Sequence, residues 1–483
     1  MSFLLILTLI LPFFNVFLVF LRKGEKQINQ KSAYIFSKIC AISFLAILFG
    51  LLRDPNHNLE ILQFNSQISF AIEVNKVNIK QLFLLSFIWL VVIFYSEKFL
   101  FFAKSEKNSQ FIYLLPSFVA CLNLIILSKN LPTLLFSYNF LLLIFALIFH
   151  KFIILNEDRK SYIFIFIILF EAILLFLVAI LITQFAQNIS FTKNGVGITA
   201  SKAKSIFILI LFLSSVLLSI FSLSFVLYHK NINFVALENY LAFPIFLGFA
   251  KILVFTKIIV QIFGVGLFSS LISQNFALIF EILCAISIVS TLIFILFSAD
   301  FRSIFFYLFL NQLSVAFLTI FIFAYADEGN IYKVFINFAL STTLVFIVLA
   351  NFTLYLKNSQ NKDFSGIFYN LKITISLLIF VFLNFASLLP PFAFQNISLL
   401  KICLEKQLVV TFFVLATNSL ALLLFVYKLA FPTFAKENIV ISQSDVDLAK
   451  KIDFSSSLSL TACVVAFIMI ILPIIEIFYK IYR

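Results

Sequence analysis

The chain has 483 residues, of which 63% are hydrophobic and 11% charged, with a net charge of +13. A soluble domain carries about 25% charged residues, so an ordinary soluble enzyme is excluded. The lysines and arginines lie between long apolar runs, where membrane topology uses them, and this argues against a nucleic-acid-binding surface.

A membrane span needs about 20 mostly apolar residues. About fourteen such runs follow one another: 3–21, 33–52, 79–95, 111–128, 131–152, 161–184, 205–228, 241–263, 276–297, 302–325, 331–356, 373–405, 407–430 and 457–479. The first run is followed by Arg22 and Lys23 and reads as a span, not as a cleavable signal. The longest polar stretches are 53–78, 185–204 and 431–456. In the first, "ISFAIEVNKV" alternates apolar and polar residues, which predicts a short surface strand or hairpin. Loops after odd-numbered spans hold more Lys and Arg than loops after even-numbered ones. That bias places them in the cytoplasm or matrix, with both termini on the other side.

Two places predict broken helices. Polar residues in "YHKNINFVALENYLAFP" separate span seven from Pro244, and Pro390 and Pro391 interrupt the run 373–405. Proline lacks the backbone donor that a helix needs. At membrane depth a break survives only inside protein or beside a wet cavity. Paired breaks of this kind mark internal repeats in transporters; simple proline kinks are the alternative.

Few ionisable residues fall inside the spans. Glu171 sits near the middle of span six and Glu281 near an end of span nine; Lys251 and Lys257 share span eight. A lysine at mid-bilayer costs on the order of 3 kcal/mol, so each needs a partner, a lost proton or a path to the interface by snorkelling. Lys251 and Lys257 follow Pro244 by roughly 10 and 20 Å along a helix. Lys257 is therefore expected to face the bundle interior at mid-depth, near a polar or acidic group, with Lys251 nearer one surface. Asp300 and Arg302, in the short joint between spans nine and ten, predict a structural ion pair. Asn139, Thr342 and Thr343 are neutral polar positions within spans.

The five cysteines (Cys40, Cys121, Cys284, Cys403 and Cys463) fall singly, without metal or disulfide spacing. No phosphate-binding loop is present. The sequence predicts no metal, cofactor or redox site.

The stretch "FSADFRSIFFYLFLNQLSVAFLTIF" resembles a segment of the proton-conducting antiporter-like subunits, the family of complex I membrane subunits 2, 4 and 5 and the large subunits of Mrp-type cation/proton antiporters. Asp300 falls on the family's Asp, Arg302 on its Lys and Tyr307 on its Tyr. "VNIKQLFLLSFIWLVVIFYSEKFL", "NLIILSKNLPTLLFSYNFLLLIFALI" and "LNFASLLPPFAFQNISLL" are similar to further family segments, in the same order. The resemblance covers most of residues 75–430.

It implies two inverted five-helix repeats, each with a broken helix. The parts are then 1–110 (helices 1–3 with the hairpin), 111–275 (first repeat), 276–430 (second repeat) and 431–483 (polar loop and last helix). It also implies a proton path, but one that has lost members. Asn139 stands where the family has a Glu, and no lysine occurs between Ser205 and Tyr228. Thr342 or Thr343 replaces a His or Lys, and Ser398 a Lys. Lys257 matches the helix-eight Lys with an offset of one residue, and Glu171 is similar to an acidic residue of helix six. A relay built from Glu171, Lys257 and Lys251 is what remains.

The implied function is a membrane subunit of a proton-translocating, complex I-like NADH:quinone oxidoreductase. The alternatives are a subunit of an Mrp-type Na+ (cation)/H+ antiporter and a non-conducting scaffold. The implied partners are other membrane subunits, lipid and protons, with Na+ as a further ion. The implied location is the bacterial inner membrane, or else the mitochondrial inner membrane.

Overall fold

The computed structural model describes residues 2–21, 27–53, 56–63, 69–103, 110–156, 161–186, 190–192, 195–196, 198, 201–227, 242–271, 274–297, 301–326, 331–358, 371–389, 392–434 and 458–481. In lipid every backbone polar group must be satisfied within the protein, and a helix does this by itself. The apolar runs accordingly fold as helices. In chain order these are α1 (Ser2–Leu21), α2 (Gln27–Leu51), α3 (Lys76–Ala103), α4 (Gln110–Leu127), α5 (Leu131–Asn156), α6 (Ser161–Phe185) and α7 (Lys202–Leu227). They continue with α8 (Ala242–Lys257), a π-helical turn (Ile258–Phe263), α9 (Val265–Leu271), α10 (Gln274–Phe297), α11 (Phe301–Tyr325) and α12 (Ile331–Asn358). The last four are α13 (Lys372–Phe385), α14 (Phe392–Glu405), α15 (Val409–Phe434) and α16 (Leu458–Ile481). Eight of the described helices are long and apolar enough to cross a membrane, and six further described stretches are apolar but shorter, at 10–17 residues. The chain is a multi-pass integral membrane protein.

Contacts divide it into two units. The first comprises Met1–Ile93, Lys107–Ala277 and Ile320–Phe335; the second comprises Phe94–Glu106, Leu278–Thr319 and Ile336–Arg483.

In the first unit α8 is the central element. All its described side chains from Ile245 to Lys257 are buried, and it packs on α4 and α5. Phe118 of α4 lies against Phe145 of α5 and Phe246 of α8, with ring centroids 5.2 and 6.4 Å apart. Helix α6 is peripheral. It buries Ile168, Glu171, Leu175, Val178 and Ile182, and exposes Phe166, Ile173, Phe176 and Ile180. That spacing is one helical face turned inward, and Glu171 lies within it.

The expected hairpin is present. Strand β1 (His57–Gln63) pairs antiparallel with β2 (Ser69–Val74), in a register that sets His57 against Val74 and slips between Glu60 and Leu62. It is one layer of a cap over one end of the unit. Lys129 N donates to Ala71 O at 3.0 Å, Phe191 N to Lys129 O at 2.8 Å, and Val196 N to Ile262 O at 2.9 Å. Asn130 serves two elements. Its Oδ1 accepts from Thr133 N (3.1 Å) and Thr133 Oγ1 (2.6 Å), capping α5, while its Nδ2 donates to Ser69 O (2.6 Å).

In the second unit α10 and α11 are joined by polar contacts. Ser287 and Ser314 hydroxyls lie 2.8 Å apart, and Asn311 Nδ2 donates to Thr291 Oγ1 at 3.2 Å. The run 373–405 is broken as expected: α13 stops at Phe385 and α14 starts at Phe392. Ser387, in the connection, holds a left-handed φ of 66°. Pro390 and Pro391 themselves lie outside the described residues, as do 228–241, which precede α8. Pro244 lies in the first turn of α8, where its missing N–H is no loss.

Two predictions follow from the cap. At Gly195 the φ is +86°, and a Cβ would stand 2.5 Å from Phe263 O. Gly195→Ala should therefore destabilise the first unit by about 1–3 kcal/mol, seen as a lower thermal midpoint in detergent. Asn130→Ala, which removes the α5 cap, should cost about 1 kcal/mol and increase proteolysis within the hairpin; unchanged stability would contradict the capping role.

Candidate functional site

Two lysines on one buried helix need different solutions because they face different neighbours. Lys251 meets Glu171: Lys251 Nζ lies 3.2 Å from Glu171 Oε2, and both side chains are buried to within 1%. Tyr138 of α5 donates its hydroxyl to the other oxygen, Glu171 Oε1, at 2.7 Å. Three helices, α5, α6 and α8, thus hold a carboxylate between an ammonium and a phenol. Neither charge would be tolerable alone, since removing one partner of a buried pair costs about 3–5 kcal/mol.

Lys257 is held differently. Its Nζ donates to Ile126 O at 2.7 Å, Ser128 O at 2.9 Å and Ser128 Oγ at 3.0 Å. These acceptors lie at the C-terminal end of α4, where carbonyls lack helical partners and the helix dipole is negative. All three ammonium hydrogens are taken up. Lys251, in contrast, has Glu171 Oε2 as its one acceptor among the described residues.

Glu171, the partner of Lys251, sits midway along α6, while Lys257 reaches to the end of α4. Lys257 does face the interior and polar groups, but the acidic partner belongs to Lys251.

The other candidates are scattered. Asn139 is half-buried, and its Oδ1 has no hydrogen-bond partner among the described residues. Thr342 Oγ1 donates to Phe338 O at 2.7 Å and Thr343 Oγ1 to Ala339 O at 2.7 Å, so both hydroxyls are turned back on their own helix. Ser398 is half-buried on α14. Asp300 lies outside the described residues and Arg302 in the first turn of α11, so their expected ion pair falls outside what is described.

Glu281 has a structural explanation. Its Oε2 accepts from Thr411 Oγ1 at 2.7 Å and its carboxylate from the Thr411 N–H, in the first turn of α15. It caps that helix from outside.

Tyr138 was not singled out as a site residue from the sequence. The signal for it was its place beside Asn139, in the segment similar to the antiporter-like subunits. Among the described residues no group of three or more His, Cys, Asp or Glu side chains is placed to hold a metal ion.

No protein-family model matches the chain, and no curated protein matches its sequence. Solved structures do match. A chain of the Mrp complex from Dietzia sp. DQ12-45-1b superposes with a TM-score of 0.71 at 12% identity, covering 98% of this chain and 95% of that one. A chain of the membrane-bound sulfane sulfur reductase, an archaeal respiratory membrane complex, superposes with a TM-score of 0.68 at 14% identity, covering 96% of this chain and 75% of that one. At these identities the likeness is one of fold, and the chain shares its fold with these two membrane-complex chains.

Proposed function

We propose that the chain is a cation/proton antiporter-like membrane subunit that works inside a larger membrane assembly and moves protons through Glu171, Lys251 and Tyr138. The observation that carries this is the buried pair itself: an ammonium with one described acceptor, 3.2 Å from a carboxylate that a phenol also holds. Transfer of a proton from Lys251 Nζ to Glu171 Oε2 turns an ion pair into a neutral pair with little movement of heavy atoms. Lys257, with three acceptors, is the anchored lysine. Asn139, next to Tyr138 on α5, is a neutral group that water can bridge, while Thr342, Thr343 and Ser398 are neutral groups of the second unit.

The fold likeness and the ordered motifs support fourteen spans in two inverted five-helix repeats, divided near 110, 275 and 430. The motifs favour a complex I-like proton-translocating host, and an Mrp-type antiporter is the second reading. Both hosts are multi-subunit assemblies, and a bacterial inner membrane suits either.

The test is proton flux in vesicles carrying the assembled host. Glu171→Gln and Lys251→Met should each lower flux at least about tenfold, with the double variant no worse than either, since the two act as one unit. Lys251→Arg should fail as well, because arginine stays protonated. Tyr138→Phe should have a smaller effect. Normal flux in all of these, with the subunit still assembled, would leave the chain a scaffold.

A further inference from the structure

Helix α1 carries a proline on its buried face. It turns Leu5, Thr8, Pro12 and Asn15 inward and leaves Ile10, Phe13, Phe14 and Phe17 exposed. It packs on α2 and α4. Apolar helices in lipid have little to hold them in register, because the lipid tails are as apolar as the side chains; polar contacts between helices supply what is missing. Ser37 Oγ of α2 donates to Asn15 Oδ1 at 3.2 Å, and Asn123 Nδ2 of α4 donates to Thr8 O at 2.6 Å.

The second of these bonds falls at a particular place. Thr8 precedes Pro12 by four residues, so Thr8 O is the carbonyl that the N–H of residue 12 would fill in an unbroken ladder. Proline has no N–H, and its ring crowds that same carbonyl. In hydrocarbon no water takes up the orphaned oxygen, and a neighbouring helix must do so. Asn123 does this from α4. Its other amide atom, Oδ1, is buried without a hydrogen-bond partner among the described residues. A half-satisfied buried amide is costly, so the bond to Thr8 O is what the residue contributes.

We infer that α1 is a hinged helix latched by Asn123. Pro12 is the hinge, the limb 2–11 is the part that moves, and the Asn123–Thr8 bond stands in for the missing rung and seats the limb on α4. Asn123 precedes Ile126 by three residues, and Ile126 O receives Lys257. The latch and the lysine therefore grip one turn of α4 from its two sides in sequence, α1 and α8. Without the amide the gap in the ladder is uncompensated, and the limb opens ahead of the rest of the unit.

The experiment is hydrogen–deuterium exchange of the purified full-length protein in detergent, with thermal midpoints measured alongside. Asn123→Leu removes the donor at similar size. It should raise the exchange rate of residues 2–11 about threefold or more, with α2 and α5 exchanging as in the wild type, and lower the midpoint. Pro12→Ala gives residue 12 an N–H that meets Thr8 O directly. In that background Asn123→Leu should no longer speed exchange of the limb, so the two changes couple in a double-mutant cycle. An unchanged limb in Asn123→Leu would overturn the inference. So would an equal increase in both backgrounds, or an increase spread evenly over all helices, since either makes Asn123 an ordinary packing residue. If Asn123→Leu does not fold alone, the double variant decides: recovery of folded protein is expected, and its failure overturns the latch. Proton flux is not the readout, so this inference and the reading of Glu171 and Lys251 stand or fall separately.

Discussion

A charge in a lipid-embedded core needs a partner, and in the first unit that requirement organises everything else. Helix α8 carries two ammonium groups through a region where almost every neighbour is apolar. One is met by a carboxylate from α6, the other by the carbonyl end of α4. Helix α6 would otherwise be a lipid-facing helix of little consequence. Because Glu171 must reach Lys251, its inward stripe is fixed, and Tyr138 then fixes α5 against it. The end of α4 is fixed by Lys257 and by the cap that runs from the hairpin through Lys129 and Phe191 to Ile262. Packing, polarity and candidate chemistry in this unit trace back to the same two side chains.

The second unit meets the problem by avoiding it. The polar side chains in its described, largely apolar core are mostly neutral, with Ser287, Thr291, Asn311, Gln312, Ser314, Asn337 and Gln395 all buried. Its buried carboxylate, Glu281, is held by the start of α15 and serves as a cap. Neutral amides and hydroxyls can order water, but they do not store a proton as a carboxylate or an amine does. Among the described residues the two units thus have different chemical capacities.

Much of this was legible in the sequence. Apolar runs of span length gave the helices, the alternation in "ISFAIEVNKV" gave β2, and Pro390–Pro391 marked the interval between α13 and α14. Those signals are local, set by hydropathy and backbone chemistry. The intramembrane ionisable residues were equally visible, because so few exist. What could not be read was their pairing. Glu171 and Lys251 are 80 positions apart, and which lysine meets the carboxylate depends on where α4 ends and how α6 turns. Both are tertiary facts with no trace in local periodicity. Tyr138 was hidden for a related reason: a tyrosine in an aromatic-rich span looks like core until a carboxylate is found beside it. The reverse holds for Thr342 and Thr343, polar by sequence yet occupied by their own backbone.

The π-helical turn directly after Lys257 has a consequence for the angular placement of the lysines. A π turn is wider than an α turn and occurs mostly as a single turn within an α-helix. Here it falls between Ile258 and Phe263, downstream of both lysines. Lys251 and Lys257 therefore stand on regular α-helical backbone, where one residue more or less between them would turn Lys257 about 100° away from the end of α4. The irregular backbone beyond them is tied instead to the cap, through Ile262 O. The wide turn thus separates the part of the helix that aims charges from the part that anchors the cap.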